Sequence, residues 1–367
     1  MKLRKILAAA LGAVMLLTAV TACQAKSARE TFSDGTVMFT VGGYDVTWDE
    51  YYFYLSGIIG YLEETYGEFP DLSVPKKDDP ESEGLSQRDY VLSSALDEAT
   101  TYGAIEYGAK ELGVALTDED RAEIAFDRER AEENNGGHDA FVALLAENGL
   151  GETVYTRLSE LEYLQNRCIS SMFGDGGANL TDAELAEYTA EDDYLMAKHI
   201  LLLTSVAEAD GTSTPMTEEE TAATLENARA LSAQLDAYTG NDFDAFFDEL
   251  MNANSEDAGG LALNPNGYLF QSGDMVTEFE EGTRALEIGG HSGVVATDYG
   301  YHIIYRRPVD YDAVPAAVTR AGGNDTLRAV VAQEMYSALR DGWIAEMEVV
   351  YGKAYKSFDV AKVFKAQ

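Results

Sequence analysis

Four histidines, two cysteines and a surplus of carboxylates set the limits of what chemistry this 367-residue chain can do. The sequence contains no Gly-x-Ser-x-Gly nucleophile elbow, no P-loop, no His-Glu-x-x-His zinc motif and no acidic calcium loop. Two histidines fall in short apolar runs, His199 within residues 197–203 and His302 within 301–306. A neutral imidazole both donates and accepts, so two rings brought together can link in a chain and fix each other's tautomers. Taken singly, each reads more readily as a satisfied core histidine. His138, after Gly136-Gly137 at a helix start, and His291, in a turn, read as exposed and inert. Met275 and Phe279 are four residues apart, which on one helix places both on the same face. Asp257 lies in the polar stretch Ser255-Glu256-Asp257, where a solvated loop acid is the simple expectation.

The elements that must carry these residues follow from periodicity and caps. Residues 36–41 read as a strand closed by Gly42-Gly43. Thr47 is placed to cap a helix to about residue 66, with Glu50 as its capping-box partner. That helix is rich in aromatics (Tyr51, Tyr52, Phe53, Tyr54). Helical patterns resume at 87–112, 117–133, 138–148 and 153–172, and a short helix opens at Thr181 with Glu184 in the box position. The pattern then changes. Residues 197–203 have strand length. Thr217, followed by Glu218, Glu219 and Glu220, starts a helix with acids at the positive end of its dipole. A second helix carries Phe243, Phe246, Phe247 and Leu250. Residues 254–267 are turn-rich, 267–270 a strand, 275–286 a helix, and 292–297 and 301–306 strands. The order is βααβαββ, an α+β pattern. Residues 324–350 read as one amphipathic helix with Leu327, Val330, Val331, Met335, Leu339 and Trp343 on its buried face. A lone helix must bury that face, and docking on the N-terminal helices is the economical solution.

Charge and targeting signals bound the setting. Asp and Glu number 65 against 26 Lys and Arg, a net charge of −39. Nothing past residue 5 forms the basic stripe that nucleic acid or an anionic membrane surface requires. Lys2, Arg4 and Lys5 precede an uncharged, mostly apolar stretch at 6–22, which reads as a signal peptide. It ends Val20-Thr21-Ala22-Cys23, similar to the bacterial lipobox, which implies a lipid on Cys23. Residues 23–35 then form a tether. Cys168 sits in an apolar-periodic run and reads as a buried structural thiol.

Four ordered segments carry a family resemblance. They are Ala197-Lys198-His199-Ile200-Leu201, Gly267-Tyr268-Leu269-Phe270 continued by Ser272-Gly273-Asp274-Met275, Ile288-Gly289-Gly290-His291-Ser292-Gly293, and Tyr299-Gly300-Tyr301-His302-Ile303-Ile304. Together they resemble the parvulin-type peptidyl-prolyl isomerases. With the lipobox and helical flanks, the chain resembles PrsA-like and, more loosely, SurA-like foldases. The resemblance implies a parvulin-like domain at 192–310, inserted in a mostly α-helical, chaperone-like domain made of 36–191 and the C-terminal segment 311–367. It implies cis-trans isomerisation of X-Pro bonds with no cofactor and no metal. His199, His302 and Asp257 fall at the catalytic positions, Asp257 beside the substrate carbonyl. Met275, Phe279, Phe270 and Tyr299 would line the substrate site. The implied partners are unfolded or proline-containing secreted polypeptides and, through Cys23, the outer face of a bacterial membrane.

One departure bears on activity. Many parvulins carry Gly-Gly-Asp-Leu-Gly before the second strand, whereas this chain reads Gly259-Gly260-Leu261-Ala262-Leu263-Asn264-Pro265-Asn266-Gly267. A non-catalytic holdase is therefore the alternative. There the parvulin module only binds, and the aromatic helix at 48–66 and the C-terminal helix frame a cleft for unfolded chains.

Overall fold

The computed structural model describes residues 30–72, 86–207 and 212–364. The signal peptide, Cys23 and most of the tether lie outside the described residues. In chain order the elements begin with β1 (Val37–Val41), β2 (Tyr44–Thr47), α1 (Trp48–Tyr66), α2 (Gln87–Leu112), α3 (Asp118–Asn134), α4 (His138–Glu147), α5 (Glu152–Phe173) and α6 (Asp182–Asp192). There follow β3 (Leu195–Leu203), β4 (Ser205–Ala207), β5 (Ser213–Pro215), α7 (Glu218–Asp236), α8 (Phe243–Asn254), α9 (Ala258–Leu263), β6 (Tyr268–Phe270), α10 (Thr277–Arg284), β7 (Val295–Ala296) and β8 (Gly300–Arg307). The chain closes with α11 (Ala316–Arg320), α12 (Leu327–Glu346), β9 (Val349–Tyr351), α13 (Lys353–Ser357) and α14 (Val360–Val363). The α+β class is as expected. Among the described residues no helix is long and apolar enough to cross a membrane.

The chain divides into two units, Met1–Met172 with Gln333–Gln367, and Phe173–Ala332. In the first, Gly42 and Gly43 both have positive φ, the geometry of a two-residue hairpin turn whose twist suits the flanking strands. They join β1 to β2, a four-residue strand that abuts the helix start at Thr47 and is too short to show a period of its own. Thr47 does precede α1, but its side chain makes no capping bond. Glu50 is not its box partner. The Glu50 carboxylate is fully buried and accepts from Tyr44 Oη (2.7 Å) and Tyr54 Oη (2.9 Å), with Arg157 Nη1 at 3.3 Å. These donors outbid the backbone N–H at the helix start, and burial pushes the Glu50 carboxyl up.

Most aromatics at the start of α1 are taken up by the core, while Tyr61 further along is exposed. Trp48, Tyr51, Tyr52 and Tyr54 are buried, and Trp48 and Tyr51 pack edge-on against Phe358 at 5.5 and 5.9 Å. The C-terminal helix is shorter than expected, since residues 349–351 form β9, which pairs antiparallel with β1. In the same unit Arg340 Nη1 donates to Gln165 Oε1 at 3.2 Å. Cys168 is fully buried, and burial raises its thiol pKa to about 11.

The second unit is built on an antiparallel sheet of order β6-β3-β8-β7. Strand alternation divides its residues between two faces. Ile200, Ile303 and Tyr305 pack with Leu231, Leu235, Phe247 and Met251 of α7 and α8. Leu195, Ala197 and Ile304 pack with Phe270, Phe279 and Ala316 on the other face. Three details depart from the βααβαββ expectation: a small β4–β5 hairpin, the six-residue α9 inside the supposed turn region, and a β7 of only two residues.

Lys198 faces α8. It is 2% exposed, yet its ammonium donates to Asp248 Oδ1 at 2.6 Å and to both Asp244 oxygens at 3.1 and 3.2 Å. Arg307 Nη1 reaches the same Asp244 at 2.6 Å. Lys198→Met keeps the buried methylenes and removes the charge. Both carboxylates keep more than a third of their surface in water and can be re-solvated. Urea denaturation should therefore register a loss of about 1–2 kcal/mol, below the 3–5 typical of a fully buried pair.

Candidate active site

Strands β3 and β8 pair so that His199 lies opposite Ile304 and His302 opposite Leu201. The two histidines are thus diagonal neighbours on one face of the sheet. Their rings stack with centroids 5.2 Å apart, and the two Nδ1 atoms lie 3.0 Å apart. Both are buried, at 6% and 4% exposure. The Phe279 ring stands edge-on to them at 5.3 and 5.5 Å, and Phe270 lies behind it at 5.7 Å.

Asp257 is brought in by the segment before α9. Below the short β6, the free edge of β3 is satisfied by this segment. Leu201 N donates to Ser255 Oγ (3.1 Å), Glu256 N to the Leu201 carbonyl (2.8 Å) and Leu203 N to Glu256 Oε2 (2.6 Å). Asp257 follows and caps α9, accepting from Gly260 N at 3.1 Å through Oδ1. Its Oδ2 accepts from His199 Nε2 at 2.8 Å and from Tyr268 Oη at 2.7 Å. It is therefore not a solvated loop acid. The bond from His199 chiefly, helped by those from Tyr268 and Gly260, holds its carboxyl down at about 2 against the opposing cost of burial.

For two neutral rings, donor and acceptor counting gives one proton arrangement. The ionised Asp257 can only accept, so His199 Nε2 carries a proton. In the neutral ring His199 Nδ1 then accepts, and His302 Nδ1 must donate to it. His302 Nε2 is left as an acceptor, 2.9 Å from Thr297 Oγ1, which donates. That hydroxyl in turn accepts from Tyr299 N at 3.2 Å. Every bond points the same way, from the Tyr299 amide to the Asp257 anion. Burial, and after it the neighbouring His199, lowers the His302 pKa to about 4.

The other expected residues fall differently. Met275 is not on the helix. Val276 is the N-cap of α10, and the Met275 amide donates to Glu280 Oε1 at 3.0 Å. Met275 still packs against the cluster that holds Phe279 and is its half-buried edge. The turn Gln271–Asp274 carries the chain round before the helix, so the shared cluster replaces helical spacing as the cause of proximity. Tyr299 is 58% exposed and touches the network through its backbone only. His291 is not an exposed turn residue. It bridges to Tyr305, its ring stacks on Phe243 at 5.4 Å, and its Nδ1 donates to the Ser292 carbonyl at 3.0 Å. His138 is exposed, 3.2 Å from Glu132, whose carboxylate raises the histidine's pKa. Thr297 and Tyr268 were missed. Tyr268 was legible, because strand alternation puts residue 268 on the same face as Phe270.

Residues 199–307 match the family described as Rotamase: PPIC-type PPIASE domain. This segment is a parvulin-type rotamase domain. The whole chain is similar to the foldase protein PrsA of Clostridium perfringens, 25% identical over 315 residues, covering 82% of this chain and 81% of the relative. The PrsA of Geobacillus kaustophilus is 31% identical over 157 residues, 42% of this chain and 44% of that one. The crystal structure of PrsA from Bacillus subtilis aligns with a TM-score of 0.26 at 17% identity, covering 90% of this chain and 99% of that one. The chain is PrsA-like and carries a parvulin-type domain.

The depressed His302 predicts a pH effect. Between 6.5, the ordinary histidine value, and about 4, the unfolded chain binds a proton that the native site refuses. Stability contributed by neutral His302 is complete above pH 6.5 and declines as pH falls towards 4. In urea titrations, the stability margin of wild type over His302→Gln should shrink by about 2 kcal/mol from pH 7 to pH 5. A constant margin would show that His302 titrates normally in the fold.

Proposed function

We propose that this chain is a peptidyl-prolyl cis-trans isomerase acting as a foldase on secreted polypeptides. The observation that carries this is the directed chain Thr297–His302–His199–Asp257 beside the apolar Phe279–Met275 patch, inside the segment that matches the rotamase family. The uncatalysed barrier of ~20 kcal/mol comes from amide resonance, which makes the carbonyl oxygen electron-rich and the nitrogen electron-poor. Twisting the C–N bond removes that polarisation. An anion held near the carbonyl oxygen disfavours the planar amide more than the twisted one, and in a poorly hydrated site this difference is large. Asp257 is such an anion, kept ionised by its three donors. The neutral imidazoles hold its orientation without cancelling its charge. Phe279 and Met275 supply a surface for the proline ring, with Phe270 as backing. The exposed Tyr299 covers the rim. No nucleophile is needed, since no bond is made or broken.

The rotamase domain is an insertion in a mostly helical domain, supported by the grouping of residues 333–367 with the N-terminal segment and by β9 pairing with β1. Export and a lipid on Cys23 rest on the sequence of the first 23 residues and on the similarity to PrsA foldases.

Exchange NMR on a short X-Pro peptide tests the activity. The chain from residue 23 onward should accelerate cis-trans exchange. Phe279→Ala and His302→Ala should each lower kcat/KM by about tenfold or more, equivalent to ~1.4 kcal/mol of transition-state stabilisation. Exchange at the spontaneous rate with folded wild-type protein would sink the reading.

A further inference from the structure

Tyr268 has a geometry that substrate binding does not explain. Its hydroxyl donates to the oxygen of Asp257 that also receives the proton of His199, at 2.7 and 2.8 Å. Its ring stands edge-on to His199 with centroids 5.5 Å apart. The hydroxyl fits there because residue 260 has no side chain. A Cβ on Gly260 would lie 1.6 Å from Tyr268 Oη and 2.3 and 2.6 Å from the two Asp257 oxygens. Gly260 also contributes its N–H to Asp257 Oδ1 at 3.1 Å. The rearranged 259–267 segment therefore ends in a paired device: a glycine that leaves a gap and supplies a donor, and a tyrosine eight residues later that fills the gap with a second donor.

Resting on the isomerase reading above, we propose that Tyr268, admitted by Gly260, is a positioning residue that fixes the Asp257 carboxylate for the reaction. A carboxylate offers about four lone-pair directions and rotates freely when only one is used. The bond from His199 alone would leave it able to pivot. Tyr268 occupies a second direction on the same oxygen, and Gly260 N engages the other oxygen. The plane of the carboxylate is then set from three elements, β3, β6 and α9. The remaining titratable groups nearby are His302 of β8, behind His199, and Glu256, whose carboxylate is engaged by Leu203 N. Neither can replace the tyrosine. Tyr268 acts through Asp257 and does not itself touch the proline bond.

The test compares Tyr268→Phe with wild type in the chain from residue 23. This change keeps the ring and its contact with His199 and removes only the hydroxyl. The Asp257 carboxyl ¹³C resonance, assigned by its loss in Asp257→Asn, should titrate with a midpoint about one unit higher than in wild type. The ¹⁵N signals of the His199 ring should change from a single Nε2–H tautomer to an exchanging mixture. Exchange catalysis should fall roughly 3–10-fold in kcat with KM little changed. Tyr268→Leu, which removes the hydroxyl and adds no atom beside Asp257, should give the same three shifts and carries the test if Tyr268→Phe does not fold; Gly260→Ala should give larger ones, since its Cβ meets both the hydroxyl and the Asp257 oxygens. An unmoved Asp257 midpoint and an unchanged His199 tautomer would overturn the proposal and leave Tyr268 a packing residue. If both resonances shift while wild type shows no catalysis, the support of Asp257 stands and the isomerase reading fails instead.

Discussion

Two polar rings stacked on the buried face of one sheet impose the constraint on which the second unit depends. His199 and His302 are almost wholly removed from water, and their four ring nitrogens must all find partners. Each buried group left unpaired would cost about 1–3 kcal/mol. Two nitrogens meet each other. The other two require an acceptor from one side and a donor from the other, and the fold supplies Asp257 and Thr297. This demand reaches far along the chain. It fixes the β3–β8 register, because a slip of one residue would turn both rings to the opposite face. It also fixes the segment at 255–257 and the turn at 297–300, each of which delivers one partner.

The adjacent residue pins the same strand from the other side. Lys198 points away from the histidines into α8, where its buried ammonium meets Asp244 and Asp248. Strand β3 thus carries a charge-assisted network on one face and a neutral network ending in an anion on the other. Neither arrangement is the most stable way to fill that space, since apolar residues of similar volume pack without desolvation cost. What they provide is a unique register. A sheet whose edge strands have only three and two residues has little else to specify it.

How much of this was legible follows from where the information lies. The helices at 87–112, 118–134, 152–173 and 218–236 were readable because their caps and periods are local; the Thr181 box forms as expected, and the helix start at Thr217 proves to be a box with Glu220 as well. The histidine pair and Phe279 were readable through their motif context. Glu50 was misread because a capping-box pattern is local while its actual partners, Tyr44, Tyr54 and Arg157, include a residue over a hundred positions away. The α9 turn was misread because Gly259-Gly260 signals flexibility. Its helix exists because Asp257 caps it, and Asp257 is there because β3 needs an edge partner. Met275 was assigned to a helix by spacing, although a turn places it in the same cluster. His291 looked exposed because nothing in its own segment announces the Phe243 ring that covers it.

A reaction that makes and breaks no bond gives a protein little to hold on to. The planar and twisted amides differ mainly in shape and in how charge is spread over three atoms, so any group that moves in response to the substrate dilutes its own effect. Fixed dipoles and charges act at full strength because their reorganisation was completed during folding. The network from Tyr299 to Asp257 has this character. Each hydroxyl, ring and carboxylate has one proton arrangement that satisfies all its neighbours, and the depressed affinity of His302 for a second proton keeps that arrangement single. A second proton on His302 would turn its Nε2 into a donor towards Thr297 and set a positive charge near the anion. The stability given up by burying two uncharged histidines is, on this argument, the means by which the site keeps one orientation of one negative charge.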